Sequence, residues 1–510
     1  MTNNHKVATG YGLTLDQLSA KLKLPSILAE VFGDSMGDQF LTLAAFLSEG
    51  RHSSLCGLEN FTTEILKGVD FASVITMNDA AHLLAYIDSE SADYFYQIWN
   101  TEHHTAREIL YDVTSFTVSF GRIRKSHLPY NYNQDDLPQR NIGLFCDQET
   151  GLPLFACSYD GTLNDPANFR YAMEQSTKHG AGAGAGVRKH KRRICIVSDL
   201  GYSREEHEWS HFLGHALITG ISCELNDDAR AAYRSWTRGL TEKDRSSAWM
   251  VEDSCYFSKD IPFRLGNVDG RLVMCRDMIL EAEKKDQLNR IRERQQQELE
   301  ETKSAPQENF EAWAASFRPM FAVRKSSDRK GFVFELDNEG LMDIYGLSGR
   351  VTLFALGDAT KMPHQEIMAL YRSKETAEDC FDTDLNGLSS LVTDGHYRDQ
   401  SCSRLLIMFL ALILRTAIRK RLEHYLREHS EMSLDAVISE LETIRFRRSD
   451  NGWHPLEHLS ATLREIMTAL DLRLVEHATP EKCMLRPRIR KGRRSKITDP
   501  APATDAASER

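Results

Sequence analysis

The sequence lacks the paired cysteine spacings that are typical of zinc ribbons and disulfide-framed domains. Its ten cysteines are scattered along 510 residues, and no two of them form a CxxC pair. This scatter argues against a structural zinc module and against a disulfide framework. A reducing compartment is therefore expected, and the cytoplasm fits best.

Long apolar runs are also missing. The longest covers Leu405 to Leu414, ten residues, whereas a helix needs roughly 20 to cross a bilayer. This run predicts a buried helix, and the polar stretch from Met1 to Gly10 predicts that there is no signal peptide. No membrane partner is expected.

The chain has no overall positive charge, since its formal net charge is −11. Contact with nucleic acid would therefore depend on local basic segments. Two such segments are Arg188 to Arg193 and the tail from Arg486 to Lys496. Each could bind phosphates or could simply be solvated. The glycine-rich run from Gly180 to Gly186 lacks the phosphate-loop pattern and predicts a flexible linker.

The N-terminal 104 residues predict a helical module, which could bind DNA ends or could serve only as a packing domain. Thr14 to Gln17 resembles a capping box ahead of Leu18. Further helices are predicted at Asp38 to Phe46, Asp79 to Ile87 and Ala92 to Trp99.

Residues 105–216 predict the first part of an α/β catalytic core. Alternating residues after Ile109, the run Ile142 to Phe145 and the run Leu152 to Cys157 indicate three antiparallel strands. A helix over residues 168–177, a strand that ends before Asp199 and a helix over residues 203–215 follow. The order β-β-β-α-β-α is that of ribonuclease-H-like folds.

Residues 217–357 predict an insertion domain that contains short strands and one long polar helix, Asp277 to Thr302. Residues 358–480 predict the second part of the core together with C-terminal helices. Residues 481–510 are basic, then rich in Pro, Ala and Thr, and are expected to be disordered. At about 150 residues per domain, the length suits roughly three domains.

Three acids stand where a metal-dependent nuclease would need them. Asp112 lies in the first predicted strand, Asp199 directly follows Ile194 to Ser198, and Glu378 lies in the predicted helix from Glu366 to Phe381. A carboxylate beside an apolar strand is costly without a cationic partner. Several carboxylates brought together would repel one another, so a divalent metal is their natural partner.

The segment from Tyr371 to Leu385 resembles the Tyr-x2-Arg-x3-Glu-x6-Lys signature of bacterial insertion-sequence DDE transposases with a β-strand insertion. Tyr371 and Glu378 match the signature, Lys374 stands at the Arg position, and Leu385 stands at the Lys position. Segments around Asp112 and Asp199 are similar to the family's two aspartate motifs. Asp199 and Glu378 are 179 positions apart (378 − 199), which leaves room for the insertion.

The resemblance implies DNA cleavage at element ends, followed by transfer of the 3′-OH into target DNA. Asp112, Asp199 and Glu378 would be catalytic and would bind two Mg²⁺ ions, which Mn²⁺ could replace. Tyr371, Arg372 and Lys374 would contact DNA. The expected partners are terminal inverted repeats, target DNA and a second copy of the chain, in a bacterial cytoplasm beside the nucleoid.

Two other hypotheses remain open. The replaced Arg and Lys of the signature would also suit a degenerate transposase that binds element ends without cutting them. Separately, His207-Glu208-Trp209-Ser210-His211 matches H-E-x-x-H, the zinc-peptidase helix in which two histidines bind Zn²⁺ and the glutamate activates water. Stoichiometric zinc in purified protein would favour the second hypothesis.

Overall fold

The computed structural model describes most of the chain, with gaps. It covers residues 6–50, 55–104, 108–117, 139–160, 174, 195–198, 216–223, 226–240, 247–251, 254–302, 310–326, 331–374, 401–429, 431–449 and 452–472. For residues 112–117, 139–141, 159, 160 and 401 it describes the backbone alone.

The described strands form one large mixed sheet and two small ones. The large sheet has the order β4-β3-β2-β5-β6-β12-β9-β8-β7, and the small ones are β1-β13-β14 and β10-β11. The strands are β1 Val7–Thr9, β2 Glu108–Thr117, β3 Gln139–Asp147, β4 Pro153–Asp160, β5 Cys195–Ser198, β6 Ala216–Gly220, β7 Trp249–Val251, β8 Ser254–Leu265, β9 Val268–Asp277, β10 Phe321–Lys325, β11 Phe332–Leu336, β12 Arg350–Leu356, β13 Arg445–Ser449 and β14 Gly452–Pro455.

In the sequence, helices precede the large sheet, lie between its strands and follow it. They are α1 Gly10–Lys21, α2 Leu24–Phe32, α3 Asp34–Ser48, α4 Met77–Tyr86, α5 Ser89–His103, α6 Asp227–Arg238, α7 Met278–Thr302, α8 Phe310–Ala315, α9 Asn338–Leu347, α10 at residues 364–374, α11 Ser401–Glu428, α12 Leu434–Thr443 and α13 Ala461–Ala469. Shorter helical turns cover Leu55–Gly57, Leu58–Asn60, Phe61–Ile65 and Gly357–Lys361.

The predicted three-stranded meander is confirmed. β2 pairs antiparallel with β3, and β3 with β4. The β3–β4 turn forms because Asp147 Oδ1 accepts hydrogen bonds from the backbone of Glu149 and Thr150, at 3.1 and 3.0 Å. Gly151 then takes a φ of +70°, which glycine adopts without a steric cost.

The apolar run from residue 405 to 414 is a buried helix, as predicted. Residues 406–414 of α11 are all buried. α11 packs against both α3 and β4. The N-terminal helices, the C-terminal helices and the large sheet therefore share one apolar core.

The predicted helix start at Thr14 is wrong. α1 begins earlier, and Thr9 caps it by accepting the backbone N–H of Gly12. Thr14 instead donates its hydroxyl to the carbonyl of Gly10, four residues back, inside the helix. The sequence signal was misread because a threonine can bond to its own preceding turn as well as cap a helix. A capping box does occur at Thr76 and Asp79, ahead of α4.

The segment predicted as an insertion contributes strands to the large sheet. β6, β12, β9, β8 and β7 continue that sheet beyond β5. A separate small core is formed by β10, β11, α8 and α9 against the end of α7, around Phe321, Phe332 and Leu299. The long polar helix is confirmed, since α7 has Leu299 as its buried residue.

The strand triplet β1-β13-β14 has no counterpart among the sequence predictions. It joins the N-terminal strand Val7–Thr9 to a hairpin near the C-terminal end of the described chain. In the part of the chain that the structure covers, no helix is both long and apolar enough to cross a membrane.

Candidate functional site

Three parallel strands of the large sheet end at the same edge of the sheet. β2 is parallel to β5, and β5 to β6, with Ile109 beside Ile196 and Ile196 beside Leu217. β12, β9 and β8 then alternate in direction, so β9 ends and β8 begins at this same end. We call this end, where β2, β5 and β6 terminate, the carboxyl edge.

Asp112 lies in β2 near the carboxyl edge, opposite Leu144 of β3. Two residues earlier, Leu110 is beside Val197, the last pair of β2 with β5. Asp199 follows Ser198, which ends β5, and lies outside the described residues, as does Glu378. The clustering of the three carboxylates therefore stays a prediction.

The course of α10 along the sheet follows from contacts at its two ends. The Nδ1 atom of His364 lies 3.8 Å from Asp260 Oδ1 on β8, and its ring is 5.7 Å from that of Trp249. Eight residues later, the positive charge of Arg372 acts on Tyr256 and partly opposes the rise of its pKa that burial causes. Asp260 follows Tyr256 by four residues on β8, so about 12 Å of helix spans about 13 Å of strand. α10 thus runs antiparallel to β8, toward the carboxyl edge.

The three residues predicted to contact DNA lie on α10. Tyr371 is 5% exposed and Lys374 is 1% exposed, while Arg372 is half-buried. Tyr371 packs in the main apolar core. Phosphate groups approach from solvent, so contact by Tyr371 or Lys374 would require this region to open. Their roles in DNA contact stay predictions.

Charged and hydroxyl side chains meet where β9 leads into α7, also at the carboxyl edge. Asp277 accepts the backbone N–H groups of Ile279 and Leu280, at 2.9 and 3.0 Å, and so caps α7. Arg276 Nε donates to Glu281 Oε2 at 2.6 Å. Burial opposes ionisation of Glu281, but hydrogen bonds from Arg276 and Lys285 outweigh it and lower the carboxyl's pKa.

Tyr256 lies opposite Asp277 on the neighbouring strand, and burial is the main influence on its pKa. It raises the pKa of Tyr256 to about 12, against the opposing effect of Arg372. Tyr256 therefore stays protonated and neutral at physiological pH. Sequence reasoning missed this cluster, although the short spacing of Arg276 and Glu281 across a strand end was a signal for it.

The other predicted sites lie outside the described residues. They are the zinc-peptidase motif from His207 to His211, the glycine run from Gly180 to Gly186, the basic segment from Arg188 to Arg193 and the basic tail. Among the residues that are described, no three His, Cys, Asp or Glu side chains form a group able to hold a metal ion.

Comparison with protein-family models gave no match, and neither did comparison with curated proteins. A comparison of folds found similarity to a cryo-EM structure of the piggyBac transposase synaptic complex with hairpin DNA. The alignment has a TM-score of 0.35 and 12% identity, and covers 84% of this chain and 79% of the other. At that TM-score the superposition is too loose to support an argument about function.

Proposed function

We propose that this protein is a DNA transposase of the DDE type, which cleaves the ends of an insertion element and joins the freed 3′-OH to target DNA. The observation that carries the proposal is the strand order β4-β3-β2-β5-β6, an antiparallel meander followed by two parallel strands. This is the order expected of a ribonuclease-H-like core. Asp112 lies on its central strand, and Asp199 directly follows the neighbouring strand.

The register of the central strands supports a meeting of the two aspartates. Leu110 is beside Val197, so the same register continued by two residues would set position 112 beside position 199. Adjacent strands lie about 4.8 Å apart. Two carboxylates on neighbouring residues could then share a metal ion.

The third acid is reached through α10. This helix heads for the carboxyl edge, and Glu378 follows Lys374 by four residues (378 − 374), about one helical turn. Five strand steps separate β2 from β8 in the sheet order, roughly 24 Å at 4.8 Å per step. The three acids can therefore meet only if the chain after Lys374 crosses the sheet toward β2.

The chemistry of the proposed donor set suits magnesium, because three carboxylates supply only hard oxygen ligands. Asp112, Asp199 and Glu378 would hold the ions. Bound Mg²⁺ would activate the attacking oxygen and stabilise the leaving oxygen at phosphorus. The contribution of the chain is positional, since the paired backbones of β2 and β5 would keep the two aspartates at a fixed separation.

The proposal also names the macromolecular partners. Terminal inverted repeats and target DNA would be the substrates, and a dimer would allow two ends to be cut in one complex. A degenerate protein that binds ends without cutting is the second candidate, favoured by Leu385 and Lys374 in the signature.

Strand nicking tests the proposal. Labelled duplexes that carry the DNA flanking the gene should be nicked with Mg²⁺ and not with EDTA, whereas scrambled duplexes should remain intact. Asp112→Asn, Asp199→Asn and Glu378→Gln should each abolish nicking and leave end binding in a gel shift intact. Glu335→Gln, which changes an exposed acid of β11, is the matched control and should nick normally. End binding without nicking by the unchanged protein would favour the degenerate candidate.

A further inference from the structure

The small sheet β1-β13-β14 carries a concentration of positive charge on a chain whose net charge is −11. β13 contains Arg445, Arg447 and Arg448, and Lys6 adjoins Arg448, whose backbone N–H donates to the Lys6 carbonyl at 2.8 Å. We infer that this hairpin, with its neighbours Lys21 and Arg421, binds the phosphate backbone of a nucleic-acid duplex. We call these residues the hairpin surface. It belongs to a different sheet from the one that carries Asp112.

Two of the three acids at the hairpin surface, Asp70 and Asp471, are each shared by two cations, and the third, Asp16, accepts the backbone N–H of Asp70 at 3.1 Å. Asp70 receives Lys6 Nζ at 2.6 Å and Arg448 Nη1 at 3.2 Å. Counted over its described residues, the hairpin surface has six cations against the three acids Asp16, Asp70 and Asp471, which leaves a net positive charge; the cations are Lys6, Lys21, Arg421, Arg445, Arg447 and Arg448. Hydrogen bonding from Lys6 is the main reason why the pKa of Asp70 is lowered, so the acid is ionised at neutral pH.

The same arrangement recurs at the second acid. Asp471 faces Lys21 Nζ at 4.0 Å and Arg421 Nη1 at 3.4 Å. All of these side chains except Arg421 are about half exposed or more. Exposed ion pairs contribute only about 0–1 kcal/mol, so the cations can exchange a carboxylate for a phosphate at little cost.

Side chains alternate between the faces of β13, so its arginines point to both sides of the sheet. Arg448 lies over the Trp453 ring, with its guanidinium carbon 5.8 Å from the centroid. This stacking restrains the guanidinium without neutralising it. Arg447 is exposed beside His454 on the neighbouring strand, and none of the ion pairs among the described residues includes it. One strand therefore offers a restrained guanidinium and an unneutralised one.

A cleft of about 550 Å³ adjoins the hairpin and helps to locate the contact. Lys21, Arg421, Arg448 and Trp453 line it, together with Asp16 and Asp471. The two acids disfavour a phosphate deep inside, so we assign the contact to the rim and the hairpin.

The geometry favours a phosphate backbone as the ligand. Planar guanidinium groups match phosphate oxygens in pairs, and such contacts position a duplex without reading its sequence. That the duplex is DNA rests on the proposed function, whereas the presence of the surface does not.

Salt-dependent binding of a fluorescent 30-base-pair duplex of arbitrary sequence tests the inference in the full chain. Each phosphate contact contributes about 0.9 to the slope of log K against log salt. Arg447→Gln with Arg448→Gln should therefore flatten the slope by about 2. The matched control is Arg324→Gln, which changes an exposed arginine of β10 in the small second core, and it should leave the slope unchanged.

A second variant predicts the opposite effect. Asp70→Asn removes the acid that Lys6 and Arg448 share, so it should tighten duplex binding several-fold at low salt. A purely structural role for Asp70 would give unchanged or weaker binding. Melting temperatures of all variants should be measured alongside, so that unfolding is recognised.

The outcomes separate this inference from the proposed function. An unchanged slope in the double variant, with a folded protein, would overturn the hairpin surface even if Mg²⁺-dependent nicking is present. A flattened slope together with tighter binding by Asp70→Asn would support the surface even if nicking is absent.

Discussion

Replacing Arg415 with methionine should destabilise the protein far more than the same change at Arg427 on the same helix. Arg415 is 2% exposed and lies in α11, where it joins the C-terminal helices to the N-terminal ones. Its Nη1 donates to the Ser48 carbonyl at 2.9 Å, and its Nη2 to Asp435 Oδ1 at 2.9 Å. Arg427 is 72% exposed, and among the described residues its ion pair is with Glu423, one turn away.

The cost of the substitution can be worked from these contacts. Methionine keeps most of the apolar stem, so the loss is mainly polar. A hydrogen bond from a charged group is worth about 1.5–3 kcal/mol, and a buried carbonyl left without its donor costs about 1–3 kcal/mol. Asp435 is 44% exposed and can be rehydrated, which reduces its share. We therefore expect a loss of about 3 kcal/mol for Arg415→Met, against about 0.5 kcal/mol or less for Arg427→Met.

Thermal melting followed by circular dichroism measures the difference. An unfolding entropy of about 2.1 cal/mol/K per residue gives roughly 1 °C per kcal/mol if the whole chain unfolds as one unit. Arg415→Met should thus lower the melting temperature by about 3 °C, and by more if a smaller unit unfolds. Arg427→Met should shift it by less than about 1 °C. Equal shifts for the two variants would refute the assignment of Arg415 as a stabilising bridge.

Two further predictions concern the same helical region. Gly50→Ala should lower the melting temperature, because Gly50 has a φ of +78° and an added Cβ would press against the Arg415 guanidinium. A melting temperature equal to that of the unchanged protein would mean that the guanidinium can move aside freely. His103→Gln should reduce the loss of stability that occurs as the pH falls from 7 to 5. Burial lowers the pKa of His103, so its contribution is complete above the unfolded value of about 6.5 and declines as the pH falls below it. Melting temperatures across this pH range that run parallel in the two proteins would contradict the assignment.

Sequence periodicity predicted the elements whose character is set locally. The meander at residues 109–157 carries alternating apolar residues and a turn closed by Asp147, and both act within a few positions of the chain. The run from Leu405 to Leu414 is apolar on every face, and such a helix is stable only when it is buried. These predictions rested on burial patterns that do not depend on distant partners.

Elements that exist because of distant partners were missed. β1 is three residues long, and it is a strand only because β13 pairs with it more than 400 positions later. The hairpin β13–β14 was read as part of a helical region, since an arginine-rich run has no apolar alternation. Strands β7, β8 and β9 were assigned to an insertion, because nothing in the sequence indicates which sheet they join.

The candidate site could be predicted only in part. The strand pattern placed Asp112 on the first strand of the meander, and the backbone there agrees. The enclosure of Tyr371 and Lys374 was not foreseen, because their signature positions carry no information about packing. The charged cluster of Arg276, Asp277 and Glu281 was missed because its members lie in two different elements.

Iron-directed cleavage of the polypeptide tests the central claim most directly. Fe²⁺ bound in place of Mg²⁺, with ascorbate and peroxide, cuts the backbone close to the metal. The account predicts cuts near positions 112, 199 and 378 that are suppressed by excess Mg²⁺, and that disappear together in Asp112→Asn. Cuts near only one of these positions, or centred on His207 and His211 instead, would contradict it.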